Sequence, residues 1–227
     1  MKKIFYLVAL VAISLLFVQC EQNELGKSSG KHNGHEYVDL GLPSGLKWAT
    51  CNVGANLPEE YGYYFAWGET TTKADYSWSN YKYGTNWTQL TKYCNDSSLG
   101  KDGFTDNKTV LDPEDDVATV NWGGAWRMPT KAEQDELREK CTWTWTTQNG
   151  VDGYKVTGPN GNSIFLPAAG YMDEGSLYSG GSLGIYCSSS LYTDAPNSAY
   201  LVYFNSDNVN RSCEYRCLGQ SVRPVCQ

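Results

Sequence analysis

Histidine is nearly absent from this chain. Of 227 residues only His32 and His35 are histidines, both close to the N-terminus. That removes any plausible Ser/His/Asp triad, and no phosphate-cradling glycine loop stands before a helical stretch. Basic residues are also in the minority, with 18 Lys and Arg against 25 Asp and Glu and a net charge of −7. An acidic chain of this kind attracts neither nucleic acid nor an anionic membrane surface. Long apolar runs are missing too. The only one, Ile4 to Val18, is fifteen residues and too short to span a bilayer comfortably. No internal repeat of fixed period is visible.

What is present begins with an export pattern. Lys2 and Lys3 precede the apolar run, and Cys20 follows it. This order is that of an export signal, and the Cys directly after it resembles a bacterial lipoprotein signal, with Cys20 as the acylated N-terminus. Residues 1–20 are read as the signal peptide. Residues 21–34 are polar and read as a flexible tether with no core of its own. Residues 35–227 remain for one domain. They are rich in glycine and tyrosine, 23 and 17 in the whole chain, which favours a loop-rich, β-containing α+β fold over a helical bundle.

Along that domain, His35–Gly45 reads as a strand and a Pro/Gly turn, Leu46–Cys51 as a second strand, and Tyr61–Trp67 as a third at the core edge. Residues 70–112 are polar, dotted with Trp and Tyr and without period, a long irregular excursion. Thr130 with Glu133 forms a capping box that opens a helix over Lys131–Cys141. Ala132, Leu137 and Cys141 are expected inward, with Glu136/Lys140 as a surface pair. Tyr154–Thr157 and Ser163–Leu166 flank Gly158-Pro159-Asn160-Gly161 as a hairpin. Pro167–Gly181 reads as a turn-rich bridge, Ser188-Ser189-Ser190 and Asn205–Asn208 as turns, and Tyr200–Phe204 and Ser221–Val225 as the last strands. Trp48, Trp67, Trp122 and Trp126 are expected in the core.

The segment from Gly184 to Val225 mixes side chains of no common character. Tyr186, Cys187, Tyr192, Leu201, Tyr203, Ser212, Cys213, Tyr215, Cys217 and Leu218 alternate with turn-like positions. Tyr beside Ser and Asn is the composition of adaptable binding loops held on a scaffold, so these ten residues are the candidate ligand contacts. Other clusters are weaker. Asp112, Glu114, Asp115 and Asp116 match no calcium loop, and the plainer reading is an acidic turn with Asp115 or Asp116 accepting from loop amides. Cys213 and Cys217 lack the histidines of a zinc set. With Cys20 acylated, seven cysteines remain, an odd number. Cys51 and Cys141 are either buried thiols or one disulfide. No metal and no cofactor is expected.

A resemblance adds to this. Val38–Ala55 (VDLGLPSGLKWATCNVGA), Tyr64–Thr70 (YFAWGET), Pro113–Asp116 (PEDD), Asn121–Leu137 (NWGGAWRMPTKAEQDEL), Phe165–Gly170 (FLPAAG) and the closing SVRPV resemble the Fibrobacter succinogenes major paralogous domain, common in exported proteins of gut Bacteroidota. The resemblance implies a C-type-lectin-like fold: a small twisted sheet, one or two helices, long loops, and paired N- and C-terminal strands. The helix entry WRMPT is also similar to that of formylglycine-generating enzymes, which share the fold and hold a catalytic Cys pair near the C-terminus. The C-terminal face resembles the variable region of proteins diversified by retroelements, where adenines of Asn codons are randomised. Glu214 and Cys187 depart from that pattern. Lectin-type sugar binding through calcium would need a Glu-Pro-Asn or Gln-Pro-Asp tripeptide, and neither occurs.

The resulting expectation is a non-enzymatic, lipid-anchored outer-membrane lipoprotein, at the cell surface or facing the periplasm, that binds a macromolecular ligand, protein or glycan, through its C-terminal face. The alternatives are a formylglycine-generating-enzyme-like oxidase using Cys213 and Cys217, and a structural surface protein without a dedicated ligand.

Overall fold

The computed structural model describes residues 28–227. The leader and Cys20 lie outside them. Among the described residues no helix is long and apolar enough to cross a membrane. The fold is α+β, with small antiparallel sheets and two helices.

In chain order, β1 (Gly30–His32) and β2 (His35–Asp39) form a hairpin and β3 (Lys47–Ala49) lies beside β2. Helix α1 (Val117–Trp122) is capped by Asp116, and α2 (Lys131–Lys140) carries the capping box between Thr130 and Glu133. Three strands follow as a meander, β4 (Thr142–Gln148), β5 (Val151–Thr157) and β6 (Ser163–Pro167). A small hairpin, β7 (Tyr171–Asp173) with β8 (Ser176–Tyr178), leads to β9 (Gly184–Leu191), β10 (Ser198–Phe204) and β11 (Val209–Tyr215), ordered β11-β10-β9. The chain closes with β12 (Val225–Cys226), which pairs with β3 and so joins the N-terminal sheet. Terminal strands therefore share one sheet, with β12 against the third strand rather than the first.

Several expectations shift at this point. The composition boundary at residue 34 cuts through the β1–β2 hairpin. Gly30–His32 belongs to the fold because His32 is docked from the other side: its Nε2 accepts from Ala125 N at 2.8 Å and its carbonyl from Trp126 Nε1 at 2.8 Å, while His35 of β2 stacks on Trp122 at 3.8 Å. Tyr61–Trp67 is extended but not a strand. It makes single backbone bonds to Val53 and Arg216 and one isolated two-bond bridge to Gln220, between two glycines with positive φ, Gly62 and Gly68, so no register is sustained. On α2, Ala132 is exposed and Gln134 takes the inward place, donating to Tyr186 O at 2.8 Å. Glu136 accepts from Ser44 N and Oγ, and no ion pair with Lys140 is seen among the described residues. Helix α1 and strands β4 and β11 were not expected.

The serine triplet is the most informative departure. Ser188–Ser190 sits inside β9, where the register against β10 slips between Ala199 and Leu201. A turn-like sequence marks a bulge in a buried strand. The bulge is a junction: Ser188 O accepts from Trp67 Nε1 at 2.9 Å, Ser188 Oγ donates to Tyr200 O at 2.8 Å, and Ser189 N donates to Pro129 O at 2.8 Å.

Sheet β9–β10–β11 divides two cores. Cys187, Leu191 and Ala199 face a cluster holding Trp67, Trp122, Trp126 and several tyrosines. Tyr186, Val202 and Phe204 face a second cluster with Trp48, Leu137 and Ile164. Trp48, Trp67, Trp122 and Trp126 are buried, as expected from the sequence. Residues 70–112 form the expected irregular excursion, with only two short 3-10 turns, Trp78–Asn80 and Lys101–Gly103, yet Tyr76, Tyr81, Tyr83, Leu90 and Tyr93 are buried. It is a wrap, not a free loop.

Two arginines pin this wrap and the C-terminus. Arg216 is fully buried. It donates to Tyr81 Oη (2.9 Å) and to the carbonyls of Tyr93 (2.9 Å), Pro196 (2.7 Å) and Lys92 (3.0 Å), and lies over the rings of Trp67 and Tyr81. Arg223 donates to Asn52 Oδ1 and to the carbonyls of Ala49, Thr50 and Phe165. Neither guanidinium pairs with a carboxylate among the described residues. Arg216 satisfies irregular backbone, and Arg223 carbonyls on and just after β3 and on β6, so both have the partners that burying such a group requires.

Candidate functional site

The ten candidate contacts do not form one surface. Tyr186, Cys187, Leu201 and Cys217 are buried, at 3, 2, 0 and 3% exposure. Around Tyr186, Cys187 and Leu201 both faces of β9 and β10 are covered, so these variable-looking side chains pack rather than bind. Tyr186 stacks on Phe204 (5.7 Å), and burial pushes its hydroxyl up to about 12. Tyr192, half-buried, packs edge-on against Tyr200 (5.1 Å). Strand β11 differs. It is an edge strand, paired only with β10, and Ser212 and Tyr215 on it are exposed while Cys213 is half-buried.

Tyr203, Tyr215, Cys217 and Leu218 are brought together around a cleft of about 390 Å³, within the size range of small ligand sites. Its other lining includes Ser77, Trp78, Tyr171, Asp173, Glu174, Ile185, Glu214 and Gln220. Each wall has a local cause. The β7–β8 hairpin is strapped down by reciprocal bonds between Met172 and Gly219 (both 2.8 Å) and by Tyr76 N donating to Glu174 O at 2.7 Å. Glu174 takes a left-handed conformation, φ 50°, ahead of Gly175, and so turns the hairpin sharply. On the opposite wall Trp78 meets Tyr215 edge-on at 5.9 Å, and the Tyr215–Leu218 turn is held from beneath by Arg216. Gln220 is fixed by bonds with Phe65 in both directions.

The chemistry of the cleft is aromatic and acidic. Asp173, Glu174 and Glu214 line it, with no Lys or Arg in the lining. None of the three pairs with a cation among the described residues. Glu214 is exposed as a residue, yet the packing around its carboxyl desolvates it and raises its pKa. Burial, then the charges of Asp173 and Glu214, raise the Tyr171 hydroxyl. Sequence reasoning found Tyr203 and Tyr215 but not Tyr171, these acids, Trp78 or Gln220, because separate regions of the chain bring them together.

The other candidate clusters resolve as framework. Asp112, Glu114 and Asp115 bring ligand atoms within 4.8 Å of one another, but Lys92 Nζ stands among them, 2.8 Å from Asp112, 2.6 Å from Asp115 and 3.7 Å from Glu114. Asp115 also accepts from Lys82 Nζ (3.0 Å) and from the hydroxyls of Tyr93 (2.7 Å) and Tyr83. Burial alone would raise its carboxyl, but those four donors hold it well below the usual carboxylate range. Asp116 accepts from the amides of Ala118, Thr119 and Met128. The seven cysteines among the described residues are all free, Cys51 and Cys141 included. Burial raises the Cys213 thiol and pushes Cys217 up to about 12. Thiols so raised are protonated at neutral pH and make poor nucleophiles.

No family model, curated protein or solved structure matches the chain.

Proposed function

We propose that this chain is an exported, lipid-anchored binding protein whose C-type-lectin-like domain, of the Fibrobacter succinogenes major paralogous type, presents one recognition cleft at the edge of its C-terminal sheet. The observation that carries this reading is the cleft itself. Trp78, Tyr171, Tyr203 and Tyr215 surround a space of about 390 Å³ above a fixed floor. Rigid aromatic groups on a braced frame give contact area at low entropic cost, the pattern of binding hot spots. Of the ten contacts read from sequence, the reading keeps Tyr203, Tyr215, Cys217 and Leu218, which line the cleft. The role is binding rather than catalysis, in keeping with the raised thiols of Cys213 and Cys217.

The test compares wild type with Tyr203→Ala and Tyr215→Ala on a printed panel of glycans and peptides. Both variants are expected to melt near wild type and to lose the wild-type binding signals. Retained signals with intact folding would end the cleft reading. The anchor is tested separately: an alkyne fatty acid fed to the expressing cells labels wild type and leaves Cys20→Ala unlabelled.

A further inference from the structure

The cleft is rich in acceptors and poor in donors. Asp173, Glu174 and Glu214 supply carboxylate oxygens, while Ser77 and the tyrosine hydroxyls are the main donors in the lining. A second observation is independent of those acids. Gln220 lines the cleft at only 3% exposure, and its Oε1 is buried without a hydrogen-bond partner. Six such atoms occur among the described residues, and Gln220 Oε1 is the one whose residue lines the cleft, an acceptor that no group of the chain satisfies.

Elsewhere in the molecule several acids receive cations of the chain. Asp115 and Asp112 hold Lys82, Lys92 and Lys108; Glu133 holds Arg127; Asp135 holds Lys131 and Arg211. Some aromatic rings do the same. Trp67, Tyr76, Tyr81, Tyr83, Tyr93 and Tyr200 each lie beneath a Lys or Arg of the chain. Among the described residues no such cation covers Trp78, Tyr171, Tyr203 or Tyr215. The cleft brings acids and rings of these kinds together with no cation of the chain in its lining.

We propose that the cleft takes a guanidinium or primary ammonium group carried by a basic peptide segment. The cation would sit against the Trp78, Tyr171 and Tyr215 rings, near the Asp173, Glu174 and Glu214 carboxylates, with Gln220 Oε1 accepting one of its N–H groups. This rests on the recognition-cleft reading and names its ligand class. A cation gains attraction from unpaired carboxylates and from ring faces in the same place. A neutral sugar could stack on the rings but would leave the carboxylates unpaired, and an anion would be repelled by them.

The test is calorimetric titration of the full chain, in mild detergent, with tri-arginine amide, its uncharged tri-citrulline analogue, and chitotriose. Tri-arginine is expected to bind and to weaken at high salt, with tri-citrulline about tenfold weaker or worse. Glu214→Gln combined with Asp173→Asn is expected to lose about tenfold in tri-arginine affinity at an unchanged melting temperature. Tri-arginine binding that ignores this double substitution overturns the proposal. Chitotriose binding that is lost in Tyr215→Ala, without tri-arginine binding, overturns the cationic class and leaves the cleft reading standing. Binding of neither probe overturns the proposal, and silence of the printed panel alongside it removes the cleft reading as well.

Discussion

Two acidic sites on this molecule are built from the same side chains and end in opposite states. Around Asp115, a carboxylate at 2% exposure, the chain supplies its own partners: Lys82, Lys92, Tyr83 and Tyr93 all donate to it. Around Glu214 the chain supplies carboxylates and rings but no donor of matching charge. The first arrangement ties the irregular wrap of residues 70–112 to the start of α1. The second contributes nothing comparable to cohesion. A buried carboxylate with every oxygen satisfied is framework; a desolvated one facing open space and unpaired rings has another use.

The largest effect expected from this contrast is at the first site. Asp115→Ala leaves Lys92 and two tyrosine hydroxyls without their shared acceptor and should lower unfolding stability by about 3–5 kcal/mol, read by urea denaturation at pH 7. The same variant sharpens the comparison by pH. Because the folded-state pKa of Asp115 is depressed, its contribution is complete above the unfolded value of about 3.9 and is lost as pH falls toward the folded one. The stability gap between wild type and Asp115→Ala should therefore be full at pH 7 and narrow below about pH 4. A gap independent of pH would mean that lost packing, not charge, sets the cost.

Glu214 should behave in the reverse sense and more weakly. Its folded-state pKa is raised, so ionisation disfavours the fold and the penalty is present above the folded value and absent at low pH. Glu214→Gln is expected to leave stability within about 1 kcal/mol of wild type at pH 8, on the stabilising side, with no difference at pH 4. Marked destabilisation would show that Glu214 is a structural acid after all. Smaller still is the thiol effect. Cys217, buried and raised to about 12, should resist a disulfide-exchange reagent in the native state, while Cys213, half-buried, reacts slowly and first. Ser212→Ala, exposed on the edge strand, should change neither stability nor fold beyond about 0.5 kcal/mol.

Much of the frame was legible in the sequence because its signals are local. The capping box at Thr130 and Glu133, the hairpin about Gly158–Gly161 and the framework tryptophans each declare themselves within a few residues. The errors came from long-range structure. Ser188–Ser190 reads as a turn until β10 lies beside it, when its hydroxyls become the satisfaction of a bulge. Tyr186, Cys187 and Leu201 look like contact residues until the sheet around them is found to be covered on both faces. His32, of the supposed tether, belongs to a strand because Ala125 and Trp126, some ninety residues away, donate to it. The cleft was only half visible. Tyr203 and Tyr215 stood out by composition, but Trp78, Asp173, Glu214 and Gln220 acquire meaning only through shared space.

The central claim is that the chain saturates one acidic site for its own stability and leaves the other for an incoming cation. Parallel thermal melts of wild type, Asp115→Asn and Glu214→Gln, each with and without tri-arginine amide, test it most directly. The account predicts that Asp115→Asn melts well below wild type, that Glu214→Gln melts with it, and that the peptide raises the melting temperature of wild type but not of Glu214→Gln. A Glu214→Gln protein that melts as low as Asp115→Asn, or that gains as much from the peptide as wild type does, would contradict it.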